Sequence, residues 1–176
     1  MSDKKIFITI HGIKTSEDKS FLGHLTAHKL ENGGYIIVKQ FKYGYINCFD
    51  AYIKAWFPER LSPVVNKLNN YILGIVKEYG PQTPITIAAH SFGTIVLYEY
   101  LKKFSNVSFN AVILFNSVLR EGAFIELETM RLKGQFHDCF NYVNNRDWIV
   151  ALAPWPFGKA GTRGLKEPKI IKTWNL

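Results

Sequence analysis

The sequence has few of the features that mark secreted, metal-binding or disulfide-rich proteins. Its 176 residues include two cysteines, Cys48 and Cys139, without a Cys-x-x-Cys pair or a Cys/His cluster, so zinc sites of the usual spacing are not indicated. Both cysteines stand among apolar neighbours, and we expect buried free thiols in a reducing compartment. A disulfide between them stays open at the level of sequence.

Long apolar runs and blocks of like charge are also missing. The first apolar run, residues 6–10, is too short for a signal-peptide core or a transmembrane span, so we expect no membrane span and a soluble, cytoplasmic protein. The net charge of +8 is scattered from Lys4 to Lys172 rather than gathered in one block. A scattered basic surface does not favour nucleic acid as a partner.

The composition is that of a globular protein, and strand-like segments alternate with helix-like ones. Hydrophobic residues make up 47% of the chain, which suits a single domain, residues 1–176, with a sizeable core. Apolar β-rich segments predict strands at residues 6–10, 35–41, 84–89, 110–115, 139–143 and 169–174. Helical spacing and flanking glycines predict helices at residues 21–30, 61–79 and 92–104.

This alternation predicts an α/β fold: a mostly parallel sheet of about six strands with helices on both faces. In such sheets reactive groups collect at the carboxyl ends of the strands. Three predicted strand ends carry polar side chains, and they are residues 11–13, 90–93 and 144–147.

The passage from the third strand into the next helix is the most informative segment. It reads Ile-Thr-Ile-Ala-Ala-His-Ser-Phe-Gly-Thr at residues 85–94. The small residues Ala89 and Gly93 flank Ser91, which allows a tight, strained turn with the serine at its tip and the amides of a helix aimed at it. The alternative is a serine that only caps the helix. Small residues on both sides favour a nucleophile.

This segment resembles the nucleophile elbow of the α/β-hydrolase superfamily, in its compact esterase- and lipase-like group, with Ala89 in place of the usual first glycine. Residues 8–13, Ile-Thr-Ile-His-Gly-Ile, resemble the family's strand followed by His-Gly. The resemblance implies acyl-enzyme chemistry on a carboxylic ester or thioester, with Ser91 as the nucleophile. It implies an oxyanion hole made by the N–H groups of Ile13 and Phe92, a small-molecule acyl substrate, and neither cofactor nor metal.

Two histidines adjoin these motifs. In His-Gly motifs of this kind the imidazole usually buttresses the loop, so we expect that role for His11 rather than proton transfer. His90 precedes the serine on the path from strand to turn. We expect its ring to point away from a bound acyl group and to be structural.

The late segment Phe-Asn-Tyr-Val-Asn-Asn-Arg-Asp, residues 140–147, resembles the family's strand followed by the triad acid. The resemblance implies that Asp147 orients and stabilises an imidazolium. The alternative is a loop aspartate paired with Arg146, and Asp138 and Glu121 are weaker candidates for the acid. In this family the order is Ser, acid and then His, but no histidine follows Asp147 in this sequence.

Three explanations of the missing base stay open. A histidine could follow beyond residue 176. The base could come from His137, His24 or His28, or from a second subunit of a homo-oligomer. Or the protein is a catalytically weak or inactive hydrolase-fold protein that binds rather than cleaves. His24 and His28 have the spacing of a metal pair, but no third ligand is placed for them, and a polar helix face is the simpler interpretation.

Two further segments bear on the substrate. Residues 41–57 are dense in aromatic side chains, which predicts either core packing under a loop or an apolar acyl or aryl pocket beside Ser91. Residues 118–135 lie where the family often inserts a cap, and because this segment is short we expect at most a minimal lid. The basic loop at residues 158–164 lacks the Gly-Lys-Ser/Thr ending of a phosphate-binding loop.

Overall fold

A computed structural model of the chain describes residues 4–12, 35–44, 57–143 and 172–175. Five strands form a parallel sheet: β1 (Lys4–Ile10), β2 (Tyr35–Phe41), β3 (Ile85–His90), β4 (Phe109–Phe115) and β5 (Phe136–Val143). The short strand β6 (Lys172–Asn175) pairs parallel with β5. Three α-helices are described: α1 (Ser62–Tyr79), which follows a 3₁₀ turn (Pro58–Leu61), α2 (Gly93–Lys103) and α3 (Glu121–Leu132).

The strand order is β2-β1-β3-β4-β5-β6. The chain leaves β1 toward one edge of the sheet, returns past β1 to β3, and then adds each further strand on the other side. This is a doubly wound order, in which the connections after β1 and β3 depart in opposite directions. Their carboxyl ends therefore border the crevice where ligands bind in open α/β sheets.

The three described helices lie on one face of the sheet. Helix α1 contacts α2, and α2 contacts α3, as expected when consecutive right-handed crossovers progress in one direction. The predicted α/β class and parallel sheet are thus confirmed. The helix predicted at residues 21–30, which would cover the other face, falls outside the described residues.

The core between the sheet and these helices follows from two periodicities. Alternate residues of the central strands face the helices and are buried: Ile6, Ile8, Ile10, Ile85, Ile87, Ala89, Val112 and Leu114. Helix α1 contributes buried residues three or four apart, which are Val65, Leu68, Ile72 and Ile75. The helix ends at Gly80, whose φ of +95° suits glycine and whose N–H still donates to the carbonyl of Val76.

The segment between β4 and β5 forms a helix that the sequence analysis does not predict. Most of residues 118–135 form α3, and the inner side of this helix joins the core through Ala123, Phe124, Leu127 and Met130. Because α3 is the crossover between β4 and β5, this segment is a structural helix.

The expectation for Cys139 is confirmed. Its thiol is free and buried, and burial raises its pKa to about 12. Cys48 lies outside the described residues. None of the helices in the described ranges combines the length and the apolar character needed to cross a bilayer.

Candidate functional site

Ser91 lies at the tip of a strained turn between β3 and α2. Its φ is +52°, in the left-handed region that costs a residue with a Cβ about 1–2 kcal/mol. Phe92 returns the chain to helical geometry with φ −56°, and α2 begins at Gly93. This is the strand, turn and helix that the sequence predicts around Ser91, and the side chain is half-buried at the carboxyl edge of the sheet.

Hydrogen bonds hold the turn on both sides. The N–H of Ser91 donates to the carbonyl of Phe115 in β4 at 3.0 Å, and the carbonyl of Ser91 accepts from the N–H of Thr94 at 2.9 Å. The hydroxyl of Thr94, which is fully buried, donates to the same carbonyl at 2.6 Å and lies 3.4 Å from the N–H of Val118. The turn is therefore bonded to a neighbouring strand and to the first turn of its own helix.

The residue after β4 repeats part of this pattern. Asn116 also has a left-handed backbone, with φ +46°, and its N–H donates to the carbonyl of Tyr142 in β5 at 3.0 Å. Asparagine tolerates this conformation better than most residues. The left-handed serine has no such intrinsic preference, which makes Ser91 the more unusual of the two.

The end of β1 touches the turn backbone to backbone. A Cβ added at Gly12 would lie 3.1 Å from Cβ of Ser91 and 3.2 Å from Nδ1 of His90. A Cβ added at Gly93 would lie 2.6 Å from the carbonyl oxygen of His11 and 2.9 Å from that of Ile10. At Gly93 only glycine fits, because a side chain would meet backbone oxygens, whereas at Gly12 the neighbouring atoms would have to give by a few tenths of an ångström. The structure thus brings together the His-Gly segment and the turn at Ser91, which the sequence separates widely.

His11 is buried and bonded to its own loop. Its Nδ1 lies 2.7 Å from the carbonyl oxygen of Gly12, so this nitrogen carries a proton and donates it. Its Nε2 is buried, and it has no hydrogen-bond partner among the residues that the structure describes. These contacts hold the imidazole of His11 against its own loop.

Tyr43 was not singled out by the sequence and proves to be part of this loop. Its hydroxyl donates to the carbonyl of His11 at 2.7 Å and lies 3.2 Å from that of Gly12. Its ring stacks on the His11 imidazole, with centroids 4.1 Å apart and planes 13° from parallel. The only signal for it in the sequence was the aromatic density of residues 41–57, which does not distinguish Tyr43 from its neighbours.

The other predicted site residues divide into those that the structure describes and those that it does not. Phe92 is the residue before the first turn of α2, where backbone N–H groups have no acceptor within the helix. Ile13, Asp147, His24 and His28 fall outside the described residues.

The candidates on β5 lie at the wrong end of the sheet. His137 is the second residue of β5, whereas the register that pairs Phe115 with Tyr142 places the other end of the strand beside the Ser91 turn. At about 3.3 Å per residue, His137 is more than 10 Å too far down the strand to serve Ser91 of the same chain. Its neighbour Asp138 is excluded as the acid for the same reason. Glu121 is the first residue of α3 and follows the carboxyl end of β4, the end that lies beside the Ser91 turn.

The two described histidines near Ser91, His11 and His90, both lie against Gly12. His11 is committed to Gly12, and Nδ1 of His90 faces the backbone of Gly12. The same part of the chain holds no group of three His, Cys, Asp or Glu side chains placed to bind a metal ion.

Comparisons with protein-family models, with curated proteins and with solved structures found no match for this chain.

Proposed function

We propose that the protein is a serine hydrolase that cleaves a carboxylic ester or thioester through an acyl-enzyme on Ser91. The observation that carries the proposal is the left-handed Ser91, held between β3 and α2 and pressed against the backbone of Gly12. A strained nucleophile turn at the carboxyl edge of a parallel sheet exposes a hydroxyl beside backbone N–H donors.

In the proposed reaction, the Ser91 oxygen bonds to the carbonyl carbon of the substrate while its proton passes to a base. The bond to the alcohol or thiol leaving group then breaks, and that group takes up the proton. Water repeats the sequence on the acyl-enzyme and frees the acid. Asp147 has the role of orienting the base, as the resemblance implies.

The N–H groups of Phe92 and Ile13 are the proposed donors to the oxyanion. Phe92 supports this role because its N–H stands at the start of α2, where the helix dipole favours negative charge. Loss of one such donor costs a hydrolase roughly 10²–10³-fold in kcat. Backbone donors held by a rigid turn therefore contribute a large share of the expected rate.

A second candidate function is a binding protein on the same fold that does not turn over. It is favoured by the placement of two described histidines, since His11 is committed to Gly12 and His137 lies at the far end of β5. A triad enzyme without its base retains roughly 10³–10⁴-fold catalysis over water. Such a protein would bind an acyl compound and hydrolyse activated esters only feebly.

Labelling with a fluorophosphonate probe tests the proposal. Wild-type protein and the control Ser108→Ala, which removes an exposed hydroxyl at the opposite edge of the sheet, should both be labelled, and Ser91→Ala should not. Folded wild type that takes no label, or label that persists in Ser91→Ala, would contradict the proposal. Steady turnover of an activated ester that is lost in Ser91→Ala would reject the binding-protein alternative.

A further inference from the structure

Thr94 is the second residue of α2 and stands one residue beyond the small-x-Ser-x-Gly turn. From its contacts we infer that Thr94 is a positioning residue for the N–H of Phe92, because its hydroxyl fixes the peptide unit that joins Ser91 to Phe92. This inference rests on the proposed function and assigns a role to a side chain that the proposed reaction does not use.

Thr94 donates twice to the carbonyl oxygen of Ser91. Its hydroxyl lies 2.6 Å from that oxygen, and its backbone N–H lies 2.9 Å from it. A carbonyl oxygen has two lone pairs, and a threonine hydroxyl has one proton, which this short contact uses. Thr94 therefore sets the direction in which the Ser91 carbonyl points.

The direction of this carbonyl determines the direction of the next N–H group. In a trans peptide unit the C=O and the following N–H lie in one rigid plane and point in opposite directions. The unit with the Ser91 carbonyl also carries the N–H of Phe92, a proposed donor to the oxyanion. Because the carbonyl points toward Thr94 inside α2, this N–H points out of the amino-terminal end of the helix, where the dipole favours negative charge.

The hydroxyl of Thr94 also connects the turn to a second element. Its oxygen lies 3.4 Å from the N–H of Val118, in the segment between β4 and α3. The N–H of Ser91 donates to the carbonyl of Phe115, at the end of the same strand. Both peptide groups of Ser91 are thus tied to one neighbouring stretch of chain, the N–H directly and the carbonyl through Thr94.

Burial holds these partners in place. Thr94 is fully buried, and Val118 is nearly so. At Gly93, an added Cβ would lie 2.6 Å from the carbonyl oxygen of His11, so the start of α2 is pressed against β1 and cannot shift to follow a misplaced turn. Catalysis by oxyanion donors depends on their being oriented before the charge develops. A buried hydroxyl that fixes the peptide plane supplies this orientation without touching the substrate.

The contact differs from the usual bond between a helical threonine and its own helix. Threonine hydroxyls in helices often donate to a carbonyl of the preceding turn, as that of Thr129 does to Ile125 at 3.0 Å on the exposed side of α3. The acceptor of Thr94 instead precedes the helix and belongs to the left-handed Ser91. The bond of Thr94 therefore restrains the nucleophile turn rather than a regular helical turn.

The test compares Thr94→Val, which removes the hydroxyl, with Thr94→Ser, which keeps it and loses a methyl group. Thr83→Val is the matched control, because the Thr83 hydroxyl also donates to a backbone carbonyl, that of Tyr79, at 2.7 Å, and lies before β3 at the opposite edge of the sheet. We expect kcat for an activated ester to fall about 10-fold in Thr94→Val with KM within about twofold, less than the loss of a direct oxyanion donor. The rate of fluorophosphonate labelling should fall in parallel. Thr94→Ser and Thr83→Val should match wild type in both.

Each other outcome decides against the inference. Wild-type kcat in Thr94→Val would overturn it while leaving the proposed function intact. An equal fall in Thr94→Ser would show that packing at this position, and not the hydroxyl, sets the rate. An equal fall in Thr83→Val, or a Thr94→Val protein that loses its circular dichroism, would show that the hydroxyl serves the fold instead. Wild-type protein that takes no fluorophosphonate would overturn the proposed function first, and this inference with it.

Discussion

Ser91 adopts a backbone conformation that is more favourable for glycine than for serine. The left-handed φ of +52° places its Cβ close to the chain, and hydrogen bonds from β4 and from Thr94 keep it there. A residue that only capped α2 would have an extended backbone, as helix N-caps usually do. The strain at this one position is therefore a physical reason to look for a function.

We predict that Ser91→Gly is more stable than Ser91→Ala by about 0.5–1 kcal/mol, because glycine removes a left-handed strain of about 1–2 kcal/mol and gives part of it back as unfolded-state entropy. Urea denaturation measures the difference. Neither variant should take the fluorophosphonate label. An alanine variant as stable as the glycine variant would show that the turn is unstrained.

Gly93, at the contact between β1 and the turn, cannot be replaced by alanine without a shift of the backbone. We predict that Gly93→Ala destabilises the protein by about 1–3 kcal/mol, since its Cβ would meet backbone oxygens of His11 and Ile10 rather than movable side chains. The control is Gly74→Ala, at an exposed position of α1 with nothing within 4 Å. It should stabilise by about 0.5–1 kcal/mol through helix propensity. Thermal or urea unfolding measures the stability of both variants. A Gly93→Ala protein that is not destabilised, or a Gly74→Ala protein that is, would contradict the prediction.

The residues that sequence could identify are those whose chemistry is local. Ser91 is marked by small residues at fixed positions on either side of it, and Gly12 by its place after an apolar strand. Tyr43 could not be identified in this way. Its contact with the His-Gly loop follows from the pairing of β2 with β1, which sets its hydroxyl beside the carbonyls of His11 and Gly12.

At the scale of elements, the spacing of apolar residues along the chain predicts the strands and helices that show a clear pattern. Strand β2 covers the predicted residues, and α1 follows its spacing of three and four. Strand β5 begins at Phe136, whereas the sequence predicts a start at Cys139. The prediction starts late because buried Phe136 is followed by two exposed polar residues, His137 and Asp138, so no continuous apolar run marks the beginning of the strand.

Helix α3 was missed although its sequence contains a signal. Ala123, Phe124, Leu127 and Met130 recur at helical spacing and are all buried. The family resemblance implies at most a minimal lid at this position, and no helix is predicted for these residues. The pattern was weak because exposed apolar residues, Ile125 and Leu132, interrupt the polar side of the helix.

The packing of α1 gives a prediction at this scale. Leu68→Ala should lower the free energy of unfolding by about 2–5 kcal/mol, because Leu68 is fully buried against the sheet. Leu73→Ala, on the exposed side of the same helix, should change it by no more than about 0.5 kcal/mol. Equal effects in urea denaturation would mean that the inner face of α1 is not the one described.

For the whole molecule, burial of weak acids predicts a loss of stability at alkaline pH. The pKa of Cys139 is raised to about 12 by burial, with the charges of Glu128 and Asp138 adding to the effect, and burial raises the pKa of Tyr43 and Tyr100 as well. Above the pKa of the unfolded thiol, near 9.0, the unfolded chain releases a proton that the folded protein keeps. Stability is therefore complete below about pH 8.5 and falls as pH rises.

The thiol alone should contribute a slope approaching about 1.4 kcal/mol per pH unit above pH 9. Urea denaturation between pH 8 and pH 10.5 measures it as the difference from a control variant in which the contribution of the tyrosines is the same. The control is Cys139→Ala, which should start less stable through lost packing but decline more gently. Parallel curves for the two proteins would mean that Cys139 is not buried as described.

The hydrogen bond from the N–H of Ser91 to the carbonyl of Phe115 affects how fast the amide proton of Ser91 exchanges with solvent. This bond, like that from Asn116 to Tyr142, continues the ladder of the sheet beyond the ends of the strands. The amide proton of Ser91 can therefore exchange with solvent only when β3 and β4 separate, at the rate of the central sheet rather than that of a surface turn. We expect deuterium uptake at Ser91 to be as slow as that at Ile87. The turn would then open only when the central sheet opens.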